Sequence, residues 1–159
     1  MNLKKIVKAG IRGGIINSLT QFTSITLLGI FGLIDQNKLG DAPIINLPNT
    51  VVICIVVPII EELLFRGPLR LLLFWKKCPP WTKYAMFFLT SVMFGYLHIY
   101  NYSDPFSVDA AAYAFIKVVS GFVLGWTVIE SSSLLASMIN HSFLNSTVVT
   151  MLTIQKIIK

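Results

Sequence analysis

Five long apolar stretches run along the chain, and short polar segments separate them. The apolar stretches are Arg12 to Ile34, Thr50 to Trp75, Tyr84 to Tyr100, Ala110 to Ile129 and Leu134 to Ile158. Asp35 to Pro48, with Gly40, Pro43 and Pro48, reads as a first loop. Lys76 to Lys83, with Pro79-Pro80, reads as a second, and Asn101 to Asp109, with Asp104 and Pro105, as a third. Glu130 and Ser131 to Ser133 read as a tight turn. A membrane-spanning helix needs about 20 apolar residues, with a working range of about 17–25. All five stretches meet that length, the third by the smallest margin. The pattern predicts an all-α, polytopic membrane helical bundle with about five transmembrane helices in a single membrane domain, residues 1–159. The last four stretches form a four-helix core over residues 50–150, to which residues 12–34 add an N-terminal helix.

Composition narrows the class. Of 159 residues, 55% are hydrophobic and 13% charged. The charged share is about half that of soluble domains, which excludes a disordered chain and argues against an ordinary soluble one. The net charge of +6 does not point to nucleic acid, because the basic residues lie between apolar runs. Lys4, Lys5, Lys8 and Arg12 precede the first run, and Lys76, Lys77 and Lys83 fill the second loop. The positive-inside rule makes both segments, and with them the N-terminus, cytoplasmic. Asp35, Lys38 and Asp41 then fall outside, as do Asp104 and Asp109; the Glu130 turn falls inside and the C-terminus outside, an assignment that Lys156 and Lys159 fit poorly. The first run is too long for a signal-peptide core and lacks a small-x-small cleavage site, so it reads as a retained helix. Cys54 and Cys78 form no disulfide framework or metal spacing and read as a packing residue and a reduced loop thiol.

With most charges assigned to loops, the polar residues inside the runs stand out. An ionisable side chain at the bilayer centre costs about 2.5–3.5 kcal/mol on insertion scales. The second run nevertheless holds Glu61, Glu62 and Arg66. Glu62 and Arg66 are four apart and share a helix face, whereas Glu61 points about 100° away and needs another partner. His98 ends Phe94-Gly95-Tyr96-Leu97-His98 in the third run, and His141 and Asn145, again four apart, lie in the fifth. At 1.5 Å per residue, Glu61, His98 and His141 all fall in one layer near the bilayer middle. A carboxylate in a dry site is a good proton acceptor, so Glu61 can take a proton from water that His98 holds. His141 and Asn145 can donate to a developing oxyanion. That combination suits hydrolysis of an acyl bond, most naturally a peptide. A zinc ion on His98, His141 and Glu61 or Glu62 is the alternative, without an HExxH motif to support it. No GxSxG is present, and Cys54 precedes the site by two turns. Gly121 and Gly125 read as a close-packing face for a neighbouring helix, with a homodimer as the lesser use. Lys117 is left unexplained, as a residue that snorkels or faces an aqueous cavity.

Three motifs in order, Glu61-Glu62-Leu63-Leu64-Phe65-Arg66 (EExxxR), Phe94 to His98 (FxxxH) and His141-Ser142-Phe143-Leu144-Asn145 (HxxxN), resemble those of the CPBP family. This is the Abi-type group of CAAX prenyl proteases and bacteriocin-processing intramembrane proteases. The resemblance covers roughly Thr50 to Thr150 and implies a glutamate-type peptidase needing no cofactor. It implies Glu61 as the base, His98 as a water ligand, His141 and Asn145 as the oxyanion hole, and Glu62 and Arg66 as supporting residues. A peptide or membrane-protein substrate at the cell membrane is implied, with bacteriocin self-immunity or peptide maturation as the setting. The chain is short for the family, so substrate-gripping parts are expected to be reduced or supplied by a partner. Two rival readings are a non-enzymatic immunity or binding protein and a proton-relay or transporter fragment; the latter lacks an inverted repeat.

Overall fold

The computed structural model describes residues 2–34, 47–101 and 104–158. Among these residues every regular element is helical and no strand occurs. Helix α1 spans Leu3–Ile30. It starts well before the first apolar run because Asn2 caps it, its Oδ1 accepting from the Lys4 N–H at 2.9 Å. Lys4, Lys5, Lys8 and Arg12 therefore lie within the helix, as good helix formers can. The chain leaves α1 through Gly32, at φ 67°, a left-handed conformation open to glycine at little cost. The expected external residues Asp35, Lys38 and Asp41 lie outside the described residues, as does the terminal Lys159.

Helix α2 (Leu47–Val51) runs into a π-helical turn, Val52–Val56, and on into α3 (Val57–Phe74). Proline explains the wide turn. The Val57 N–H bonds the Val52 carbonyl five residues back, so the next bond in that register would join residue 58 to Ile53. Residue 58 is proline and has no N–H, which leaves the Ile53 carbonyl open. Helix α4 spans Pro80–Leu97, with Pro80 in its first turn, so the second loop is shorter than the sequence suggests. It passes into a 3-10 turn, His98–Asn101. Helix α5 (Val108–Ser131) begins at Ser107, whose Oγ accepts from the Ala110 N–H at 3.2 Å. Ser132, at φ 52°, turns the chain into α6 (Leu134–Ile158), and the Ser133 N–H donates to Ser131 Oγ at 3.2 Å.

Helix α1 packs on α6 and α5, α4 packs on α5, and α3 lies against α4 and α6. Close approach depends on glycine. A Cβ on Gly13 of α1 would stand 2.5 Å from Asn140 Nδ2 and 2.6 Å from Thr127 Oγ1. A Cβ on Gly121 would stand 2.7 Å from the Ser91 carbonyl oxygen, and one on Gly125 2.6 Å from the Phe87 ring. The Gly121 and Gly125 face is thus covered by α4 of the same chain. Gly13→Val is expected to lower the melting temperature of the purified protein in detergent, at a cost of about 1–3 kcal/mol, because neither polar neighbour can retreat without breaking its own hydrogen bond.

Polarity is arranged inside out. Asn17, Gln21, Glu62, Arg66, Lys117, Ser137, Asn140 and His141 are buried. Phe22, Ile30, Leu64, Leu71, Phe88, Phe115 and Trp126 are exposed. Water would penalise so much apolar surface, whereas lipid favours it and makes internal hydrogen bonds the natural place for polar groups. Among the described residues one helix, Val108–Ser131, is by itself long and apolar enough to cross a membrane. The buried polar residues of α1 and α6 lower the apolarity of those helices while tying them together. Asn17 Nδ2 donates to Asn140 Oδ1 at 3.3 Å, and Asn140 Nδ2 donates to Thr127 Oγ1 at 2.9 Å.

Candidate active site

The site forms where α3, α4, α5 and α6 meet. Glu61 and Glu62 sit one turn into α3, and their neighbouring positions aim them apart. Glu62 is fully buried, while the Glu61 side chain keeps 27% of its exposure. His141 of α6 lies between them. Its Nδ1 is 3.1 Å from Glu62 Oε1 and its Nε2 is 3.5 Å from Glu61 Oε2. A carboxylate accepts, so a proton on Nδ1 serves Glu62 and fixes the ring orientation. Ser137, one turn before His141, donates its hydroxyl to Glu62 Oε2 and also lies 3.1 Å from the Leu124 carbonyl.

Arg66 completes the Glu62 environment. Its Nε is 3.6 Å from Glu62 Oε2, with both side chains fully buried, and its Nη2 donates to the Gly121 carbonyl at 3.0 Å. The absence of a side chain at Gly121 brings α5 close to α4, whose Phe94 ring lies 4.4 Å from the guanidinium carbon. Phe94 is the hub of the layer, 5.5 Å from the His141 ring and 4.6 Å from the His98 ring.

His98 caps the C-terminal end of α4. Its Nδ1 is 2.6 Å from the Phe94 carbonyl. A carbonyl can only accept, so Nδ1 carries the proton and Nε2 of the neutral ring keeps a lone pair. Asn145 is held differently from His141. Its Nδ2 donates to the Ile53 carbonyl at 2.9 Å, the group that Pro58 leaves open. One hydrogen of that amide is used there and the second remains. The structure therefore brings Glu61, Glu62, Arg66 and His141 into direct contact. It joins His98 to them through Phe94, and ties Asn145 to the π turn below.

Ser137 and the carbonyls of Gly121 and Ile53 also hold site residues, and none of them belongs to a sequence motif. For Ser137 a signal exists, since residue 137 shares a helix face with His141 four positions on. A carbonyl leaves no such trace. Among the described residues no group of three or more His, Cys, Asp or Glu is arranged to hold a metal ion. Nδ1 is engaged in both histidines, by the Phe94 carbonyl in His98 and by Glu62 in His141, which orients each ring and leaves its Nε2 to meet a water or a metal ion.

The fold and site are those of a helical membrane protein, with an apolar exterior and a buried histidine set between two carboxylates. Residues 43–147, which include all three motifs, match the family described as Type II CAAX prenyl endopeptidase Rce1-like. The chain belongs to this family, and with it to the CPBP proteases that the motifs resemble. No curated protein and no solved structure matches the chain. The family is membrane-embedded and proteolytic, and the apolar α5 agrees with a membrane setting.

Proposed function

We propose that the chain is a multi-pass intramembrane endopeptidase of the glutamate type, with its N-terminus in the cytoplasm, acting on a peptide or a membrane-associated protein. The observation that carries this reading is the placement of His141 between the buried Glu62 and the accessible Glu61. Two adjacent carboxylates here have different surroundings. Glu62 is sequestered by Arg66, Ser137 and His141, and serves to position them. Glu61 is left to face a reactant.

In the proposed reaction a water molecule donates one hydrogen toward Glu61 and the other toward the lone pair on His98 Nε2. Glu61 takes the proton as the water oxygen attacks the peptide carbonyl carbon. The oxyanion is met by the free amide hydrogen of Asn145 and by Nε2–H of His141 acting as an imidazolium, whose Nδ1–H is given to the buried Glu62 carboxylate. The C–N bond then breaks, and Glu61 returns its proton to the leaving amine. Each group needed is on this chain, and no step passes through a metal. An unmodified peptide, as in bacteriocin self-immunity or peptide maturation, is the preferred substrate over a prenylated one.

The test is a panel of prenylated and unprenylated peptides incubated with the purified protein in detergent, with and without a strong chelator. Cleavage of at least one peptide at a rate unaffected by the chelator is the expected result. Loss of cleavage with chelator and its return with zinc would replace the glutamate mechanism by a metal one. Protection against a bacteriocin that persists in Glu61→Ala and His98→Ala would favour the non-enzymatic reading.

A further inference from the structure

Lys117 is the single basic residue of α5 and is buried, with 6% of its surface exposed. Its Nζ donates to Gln21 Oε1 of α1 at 2.8 Å and lies 5.1 Å from the centre of the Tyr113 ring. Among the described residues no carboxylate lies within ion-pair distance of it. An ammonium carries three hydrogens, and here a neutral amide and the face of a ring are its neighbours. A buried cation with only neutral partners is costly, and an anion placed beside it would be held strongly.

The position of Lys117 relates it to the active site. It stands one helical turn before Gly121, whose carbonyl accepts from Arg66. Tyr113 lies between it and His98, with the Tyr113 and His98 rings 6.5 Å apart. The cation thus borders the site without being consumed by the carboxylates of the site. A peptide brings its own anions, namely its C-terminal carboxylate and any acidic side chain.

We propose that Lys117 is a specificity residue that holds a carboxylate of the peptide substrate, the C-terminal one by preference. This inference rests on the peptidase reading given above. Anchoring the chain end at Lys117 would set the number of residues between the terminus and the bond presented to Glu61. Gln21 holds the ammonium in place until the substrate arrives.

The experiment uses the full chain in lipid nanodiscs and one cleaved peptide in three forms: with a free C-terminal carboxylate, with a C-terminal carboxamide, and with its acidic side chains changed to amides. The parent protein is expected to prefer the free acid over the carboxamide by about tenfold or more in kcat/KM. Lys117→Met should bring that ratio close to one, and Lys117→Arg should keep most of it. The ratio compares two substrates on one protein, so a general loss of folded enzyme does not mimic the effect. On the parent protein alone, the carboxylate product should inhibit about tenfold more strongly than its carboxamide. An unchanged ratio in Lys117→Met, or no preference for a carboxylate in the parent, overturns the proposal. A Lys117-dependent loss seen only when the side chains are neutralised supports the carboxylate site and overturns the terminal source. If Glu61→Gln abolishes cleavage while Lys117→Met leaves the ratio intact, this inference fails alone. If the parent cleaves no peptide, the peptidase reading fails and this inference with it.

Discussion

Replacing Glu61 with glutamine is expected to lower the rate of peptide cleavage by about a hundredfold to ten-thousandfold, the usual contribution of a positioned general base. The substitution keeps the size and shape of the side chain and removes only its capacity to take a proton. It sits on a partly exposed side chain whose ion-pair-distance neighbour is His141, at 3.5 Å, so the fold should survive. The measurement is kcat/KM for a cleaved peptide, paired with a melting curve in the same detergent. A large loss of rate with a melting temperature within a few degrees of the parent separates chemistry from stability. His98→Ala should follow in the same direction with a smaller loss, because it holds the water and does not take its proton.

Replacing Arg66 with methionine is expected to destabilise the protein by about 3–5 kcal/mol, the range seen when one partner of a buried ion pair is removed. Methionine fills much of the volume, so a cavity is not the cause. Glu62 keeps Ser137 and His141 but loses the cation beside it, and the Gly121 carbonyl loses its donor. Contact with the Phe94 ring is also lost. Arg66→Lys should recover little, since a lysine cannot span Glu62 and Gly121 with a planar fork and stack on Phe94 at once. The measurement is resistance to denaturant followed by helical circular dichroism. The charge-removing pair Arg66→Met with Glu62→Gln should be less damaging than Arg66→Met alone, because no unpaired charge is left buried.

The contrast between Glu61 and Glu62 was legible in the sequence as far as helical spacing reaches. Four-residue spacing pairs Glu62 with Arg66, and the one-residue offset of Glu61 denies it the same partner. Spacing along one helix does not say what another helix supplies, so the insertion of His141 between the two carboxylates became visible only with α6 in place. The same limit hid Ser137, which looks like a small packing residue until its hydroxyl is set against Glu62. Asn145 is the most instructive residue. As an amide four positions from His141 it reads as a donor to the site, yet one of its hydrogens goes to the Ile53 carbonyl that Pro58 leaves open.

Helix ends followed a related logic. Hydropathy starts the first helix after the lysines, because charge counts against a lipid-facing run. Capping starts it at Leu3, because Asn2 satisfies a free N–H and lysines extend a helix readily. Gly121 and Gly125 announce close packing without naming the partner, and the partner is α4. Lys117 carried no sequence explanation, and its neighbours Gln21 and Tyr113 come from another helix and from one turn away.

Glu61 as the base that activates water is tested most directly by a single turnover in water enriched in heavy oxygen, with the protein in excess over peptide and reconstituted in a bilayer. Mass spectrometry then reads the new C-terminal carboxyl group of the product and the peptide fragment that contains Glu61. Label in the product after one turnover and none in Glu61 is the expected result. An unlabelled first product together with label in Glu61 would show that the carboxylate itself attacks the substrate, and would contradict a water-activating base.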